Sequence, residues 1–149
     1  MKLIDPDRLA SVVIWAEAEG EPYETKVAYG ELIRNRMAHR FFSDGTVAGT
    51  VAKRYQFSEF NDDKGDNDRL LLALNLDDSD PVAKDCLVAW RESDGSNTVP
   101  GALMCYAVTI PKPSWESAFS FIKQIGKTRF YAKYPSDAVA ESPAPIATN

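Results

Sequence analysis

A carboxylate lies where the first predicted helix should bury a hydrocarbon side chain. Counting back from Glu17 in steps of four reaches Val13 and Leu9, so Glu17 continues an apolar stripe of the helix. Removal of a carboxyl group from water favours its neutral form, and a neutral carboxylic acid can protonate the leaving oxygen when a glycosidic bond is cleaved. Glu17 is therefore the first candidate for a general acid.

The predicted end of the first helix strengthens this interpretation of Glu17. Capping and stop signals predict a helix over about residues 6–19, which places Glu17 in the last turn. The negative end of the helix dipole further disfavours an anion there. The alternative is an ordinary solvated glutamate, or an ion pair of Glu17 with Arg34 or Arg36 from the next helix.

Short sequence blocks follow Glu17 in a specific order and spacing. They are Glu17–Glu21, Val27–Ala28, Ile33–Arg36, Gln56–Ser58 with Asn61, and Ile125–Tyr131. In combination these blocks resemble the SleB/CwlJ-type cell-wall hydrolases, the spore-cortex-lytic family that also includes phage lysis enzymes. The resemblance runs from about residue 9 to residue 131, and Glu17 matches the acid of the family directly.

The resemblance implies a peptidoglycan-degrading enzyme that cleaves the MurNAc–GlcNAc β-1,4 bond. In lytic transglycosylases the 6-hydroxyl of the muramic sugar is the nucleophile, so one glutamate first donates and then accepts a proton. Glu17 would perform both steps, with Glu21 as the second-ranked catalytic candidate. A muramidase-type hydrolase would instead need a second carboxylate, and Glu21, Glu31 and Glu59 are the candidates.

Candidate substrate-binding residues combine aromatic rings with amide and hydroxyl groups, as the two kinds of surface on a sugar ring require. Gln56 and Ser58 can donate hydrogen bonds to an N-acetyl carbonyl, with Phe57 between them. Tyr106 and Trp115 can stack on sugar faces. The alternative is that the rings near residue 57 anchor a loop in the core.

Three positions depart from the pattern of the family. Such proteins usually have a basic residue where this chain has Glu19, a histidine where it has Thr128, and Asn-Pro where it has Ala107-Val108. The departures at Glu19 and Thr128 favour a competing hypothesis, in which the protein is a non-catalytic phage structural module that binds glycan without cleaving it.

Length and pattern predict one α+β domain, mainly helical and lysozyme-like, with a short antiparallel β element. Residues 1–134 should form the catalytic domain and residues 135–149 a disordered tail. Predicted helices cover about residues 6–19, 22–40, 47–53, 67–76 and 81–91, and predicted strands cover residues 102–107 and 127–133.

Composition excludes several function classes. A net charge of −5 argues against binding to nucleic acid or to an anionic membrane surface. His39 is the single histidine, so a zinc amidase is disfavoured and no metal or other cofactor is expected. The two cysteines, Cys86 and Cys105, are predicted to be free thiols.

The sequence shows neither a secretory signal nor an apolar run long enough to span a membrane. We therefore expect the protein to be retained in the host cytoplasm. We also expect it to be a monomer. A wall-degrading enzyme of this kind would reach the peptidoglycan glycan strand through a hole made by a holin-like protein. This combination favours a phage endolysin, and the alternative is a prophage or host protein that is exported by another route.

Overall fold

Five α-helices precede a three-stranded sheet in the computed structural model, which describes residues 5–53, 67–77 and 79–133. The helices are α1 (Pro6–Ala18), α2 (Tyr23–His39), α3 (Val47–Val51), α4 (Asn67–Leu74) and α5 (Pro81–Glu92). The strands are β1 (Ala102–Ala107), β2 (Ser120–Ile125) and β3 (Thr128–Ala132). The predicted α+β class is confirmed, whereas the predicted tail at 135–149 lies outside the described residues.

Local capping chemistry fixes the starts of α1 and α5. The Asp5 side chain accepts a hydrogen bond from the Asp7 amide at 2.8 Å, and Asp80 accepts one from the Ala83 amide at 2.9 Å. Each cap is followed by a proline at the first helical position, where the missing amide hydrogen costs nothing. Both starts agree with the prediction.

The central helix is α2, which packs against α1, α3, α5 and β1. It is buried on nearly all sides, and its buried residues include polar side chains as well as the apolar Val27, Ala28 and Leu32. The buried polar residues are Thr25, Lys26, Glu31 and Arg36. Each of these four makes a hydrogen bond to another part of the chain, as buried polar groups must.

The sheet has the antiparallel order β1-β3-β2, with β3 in the centre. The predicted pairing of β1 with β3 is confirmed, but β2 was not predicted as a strand. Its register shifts between Phe121 and Lys123, and such an irregularity interrupts the alternation by which a strand is recognised. Gly126 adopts a φ of 57° in the tight turn between β2 and β3.

The two faces of the sheet have different surroundings. Cys105 and Phe130 are paired across β1 and β3, and both pack against the main core, which also contains Tyr29 of α2. We call this the inner face. Neighbours in a strand point to opposite sides, so Tyr106 and its partner Arg129 lie on the outer face.

Both cysteines are free, as predicted, with Cys86 buried and Cys105 partly buried. Burial raises the pKa of each thiol from 9.0 to about 12. No helix among the described residues has the length and hydropathy that crossing a bilayer requires.

These raised thiol pKa values predict a loss of stability at alkaline pH. The folded state holds each thiol proton more tightly than the unfolded state, so this contribution is complete below about pH 9 and is lost as the pH rises towards 12. The slope is at most about 1.4 kcal/mol per pH unit for each thiol. Urea unfolding under reducing conditions between about pH 8 and about pH 11 should show a shallower decline for Cys86→Ala than for the wild type. Equal slopes would contradict this assignment.

Candidate active site

Glu17 lies in the last turn of α1, as predicted, and its side chain is half-buried. The preceding residues of the same stripe, including Val13 and Ala10, are completely buried. The apolar stripe therefore ends in a carboxylate at the boundary between the core and solvent. A group that is held by the fold and open on one side can meet a substrate.

Among the described residues, the charge of Glu17 acts on three buried or partly buried groups. Burial raises the pKa of Tyr29 well above its usual value, and nearby charges on Cys105 and Glu17 raise it further. Burial raises the pKa of Cys105 to about 12, and the charge of Glu17 is the next contribution. Burial also lowers the pKa of Arg36 to about 10, and the acidic groups Cys105, Glu17 and Tyr29 oppose this shift. Glu17 therefore lies near a neutral phenol, a neutral thiol and one cation.

Arg36 and its neighbour join α2 to the first strand. The Arg36 Nε donates to the Leu103 carbonyl at 2.7 Å, and the Asn35 Nδ2 donates to the Ala102 carbonyl at 3.1 Å. Arg36 thereby connects β1 to the surroundings of Glu17. Arg34 instead contacts α5, because its Nη2 donates a hydrogen bond to the Trp90 carbonyl at 2.7 Å.

Two cationic side chains bind backbone carbonyls at the end of α1. The Lys26 Nζ donates to the carbonyls of Glu19 and Glu21, at 3.2 Å and 2.6 Å, and the Arg69 Nε donates to the Ala16 carbonyl at 3.0 Å. Terminal carbonyls of a helix lack intrahelical donors, and positive charge is favourable at this end. Lys26 and Arg69 therefore fix the turn that positions the candidate acid.

Glu19 also contacts Arg69. It occupies the position at which the family that the sequence resembles usually has a basic residue. The Arg69 Nη2 lies 3.3 Å from the Glu19 Oε1, and the guanidinium is 5.0 Å from the centre of the Trp15 ring. A cation from α4 is thus present beside this turn even though residue 19 is acidic.

Glu21, the second catalytic candidate, binds the hairpin between β2 and β3. Its Oε1 accepts a hydrogen bond from the Lys127 amide at 2.8 Å. Glu21 also lies directly against Gly126, where a Cβ atom would collide with the carboxylate. The side chain therefore joins the α1–α2 turn to the sheet, and its catalytic role stays a prediction.

Glu31, another candidate for the second carboxylate, points into the protein. Its oxygens accept hydrogen bonds from the amides of Thr98 and Val99, at 2.9 Å and 2.8 Å, and from the Ser96 hydroxyl. Glu31 is nearly completely buried in these contacts. It therefore holds the connection that leads into β1, whereas the third candidate, Glu59, lies outside the described residues.

Comparison with known proteins establishes the family of this site. Residues 20–131 match the cell wall hydrolase family. The chain belongs to this family. The prediction of an enzyme that acts on the bacterial cell wall is thereby confirmed. The match begins just after Glu17, so the position of that residue is established by the geometry of α1 alone.

Two solved catalytic domains share the fold. The catalytic domain of the germination-specific lytic transglycosylase SleB from Bacillus anthracis is 22% identical, with a TM-score of 0.66 over 87% of this chain and 96% of that chain. The catalytic domain of the Bacillus cereus SleB protein is 24% identical, with a TM-score of 0.64 over 85% and 88%. No match was found among curated proteins. These likenesses confirm the predicted lysozyme-like fold.

The predicted substrate-binding residues fall into two groups in this cell wall hydrolase. Gln56, Phe57 and Ser58 lie outside the described residues. Tyr106 and Trp115 lie together, with ring centres 5.8 Å apart, in an aromatic cluster on the outer face of the sheet. Cys105, which lies near Glu17, faces the other way, so the structure does not bring these two rings to the surroundings of Glu17.

Sequence patterns missed the buried partners of Glu17. Hydrogen bonds link the Tyr29 side chain with those of Cys105 and Thr128, the residue that replaces the histidine of the resembling family. Tyr29 and Arg36 are seven residues apart, a spacing that places both on one face of α2. That spacing was the available signal, but nothing local indicates that this face turns towards Glu17.

Proposed function

We propose that this cell wall hydrolase is a peptidoglycan glycosidase that cleaves the MurNAc–GlcNAc β-1,4 bond as a lytic transglycosylase. One observation carries the proposal. Glu17 ends the buried stripe of α1 with a half-buried carboxylate, while Glu21 and Glu31 each bind backbone amides. For the candidates within the described residues, a mechanism that needs one carboxylate fits this arrangement better than a mechanism that needs two.

In the proposed reaction Glu17 first donates its proton to the oxygen that leaves the muramic sugar. As the bond between C1 and that oxygen breaks, the anomeric carbon becomes electron-poor. The Glu17 carboxylate then removes the proton from the 6-hydroxyl of the same sugar, and O6 bonds to C1. The product is a 1,6-anhydro sugar, no water is consumed, and Glu17 regains its starting state.

The surroundings of Glu17 suit a group that must alternate between acid and base. The Glu17 side chain is half-buried, so the fold holds it in place, and the Arg36 cation lies near it. Tyr29 and Cys105 keep their protons, because burial raises the pKa of both groups. They therefore add no competing negative charge near neutral pH.

The structural neighbours add support, because the SleB domain from Bacillus anthracis is described as a lytic transglycosylase. The proposal extends to a phage endolysin that acts as a monomer after a holin-like protein gives it access to the wall. This biological role rests on the resemblance to a family that includes phage lysis enzymes. A muramidase-type hydrolase with a second carboxylate is the alternative.

Product analysis tests the proposed reaction. Purified peptidoglycan is digested with the wild-type protein in water enriched in ¹⁸O, and the fragments are measured by mass spectrometry. We expect anhydro ends that are lighter than hydrolytic ends by one water and carry no ¹⁸O. Reducing ends that carry ¹⁸O would overturn the transglycosylase mechanism in favour of hydrolysis. Absence of cleavage by folded protein would overturn the glycosidase and favour a glycan-binding module.

A further inference from the structure

Positive charge is concentrated in the sheet and its connections. Residues 101–133 contain five basic residues and a single acidic residue, Glu116, although the whole chain has a net charge of −5. The basic residues are Lys112, Lys123, Lys127, Arg129 and Lys133. Peptidoglycan carries carboxylates on its stem peptides, so this part of an otherwise acidic protein has the complementary charge.

Aromatic rings cover the outer face of the sheet. The Phe121 side chain is 48% exposed, and the Arg129 guanidinium lies 4.0 Å from the centre of its ring. Tyr106 stacks on Tyr131 with ring centres 5.9 Å apart, and Trp115 meets Tyr131 edge-on at 5.4 Å. Tyr131 itself is buried, whereas Phe121 is exposed and Tyr106 and Trp115 are partly exposed, so these three rings present apolar surface on which a sugar face can stack.

Hydrogen bonds hold the polar groups of this face in fixed positions. The Arg129 Nε donates to the Tyr131 hydroxyl at 3.1 Å, and its Nη1 donates to the Gln124 Oε1 at 3.3 Å. The Tyr131 hydroxyl in turn donates to the Glu116 Oε2 at 2.7 Å. The guanidinium is therefore oriented before any ligand arrives, which reduces the entropy lost on binding.

This outer face is separate from the candidate active site. Cys105 and Phe130 point to the inner face, where Cys105 lies near Glu17, whereas their neighbours Tyr106 and Arg129 point away from it. A sugar chain stacked on the outer face would therefore not occupy the surroundings of Glu17.

We propose that the outer face is a second peptidoglycan-binding surface, which holds the polymer while Glu17 acts on it. A glycan strand would stack its sugars on Phe121 and Trp115, and a carboxylate of the strand or its stem peptide would pair with Arg129. This inference rests on the proposed function, because that function makes peptidoglycan the substrate. Such a surface would retain the enzyme on an insoluble polymer between successive cuts.

Sedimentation with insoluble peptidoglycan tests this surface. The full chain with Glu17→Gln is mixed with purified sacculi, and the bound fraction is measured over a range of sacculus concentrations. Adding Phe121→Ala or Arg129→Gln to this background should weaken binding by about tenfold in each case. Unchanged binding by both folded variants would overturn the proposal.

A matched control removes similar groups from α5. Val88→Ala and Lys84→Gln delete an exposed apolar side chain and an exposed cation, and binding should stay within about twofold. An equal loss of binding in these controls, or a loss of binding only with Arg129→Gln, would overturn the stacking of sugars on the outer face. It would indicate nonspecific electrostatic attraction instead.

A further variant covers the case in which Arg129→Gln disturbs the fold. Lys112→Gln combined with Lys127→Gln removes two exposed charges, and thermal unfolding verifies that each variant is folded. Binding should weaken and depend less on salt concentration. The Glu17→Gln background leaves the polymer uncleaved, so sedimentation reports binding alone. Product analysis with the wild type reports the proposed reaction separately.

Discussion

Glu17→Gln should reduce the rate of peptidoglycan cleavage by about a thousandfold and leave the fold unchanged. The amide has nearly the shape of the carboxylic acid but can neither donate the required proton nor accept one. Both proposed steps therefore lose their catalyst. Anhydro ends released per minute from purified peptidoglycan measure the rate, and thermal unfolding verifies that the variant is folded.

Glu19→Gln is the matched control for this variant. Glu19 belongs to the same turn, but its side chain forms a partly exposed ion pair with Arg69. Cleavage by this control should stay within about threefold of the wild type, since such ion pairs contribute little to stability. Equal activity of Glu17→Gln and the wild type would show that Glu17 is not catalytic, and Glu21 would then be the next candidate.

Glu31→Ala should lower the free energy of unfolding by about 3 to 5 kcal/mol. The substitution leaves the partly buried Thr98 amide and the buried Val99 amide without acceptors and removes the partner of the Ser96 hydroxyl. Buried donors without partners lose their hydration and receive nothing in exchange. Urea unfolding near neutral pH measures the change.

Glu24→Ala provides the comparison on the same helix. Glu24 makes an exposed ion pair with Lys123, with an N–O distance of 3.3 Å, so its removal should cost less than about 1 kcal/mol. A loss below about 1 kcal/mol for Glu31→Ala as well would show that these hydrogen bonds contribute little. Glu31→Gln keeps one acceptor oxygen, and loss of cleavage by this variant while folded would instead indicate a catalytic role.

Helix boundaries were predictable because their signals are local. An aspartate followed by proline caps α1 and α5, and the capping hydrogen bonds span only two or three residues. The pairing of β1 with β3 followed from two clear strand patterns. Strand β2 was not predicted, because its register shifts after Phe121 and a strand is recognised in sequence by unbroken alternation of apolar and polar residues.

The sequence by itself determined the position of Glu17, because the four-residue period of α1 and its capping signals fix both the face and the turn on which that side chain lies. Only the tertiary structure decided which groups surround it. Tyr29 and Arg36 come from α2 and Cys105 comes from β1, while the amides that bind Glu21 and Glu31 are distant from these two glutamates in sequence. Tyr106 and Trp115 were separated from Glu17 for the same reason, because the face to which a side chain points depends on how the strands pair and pack.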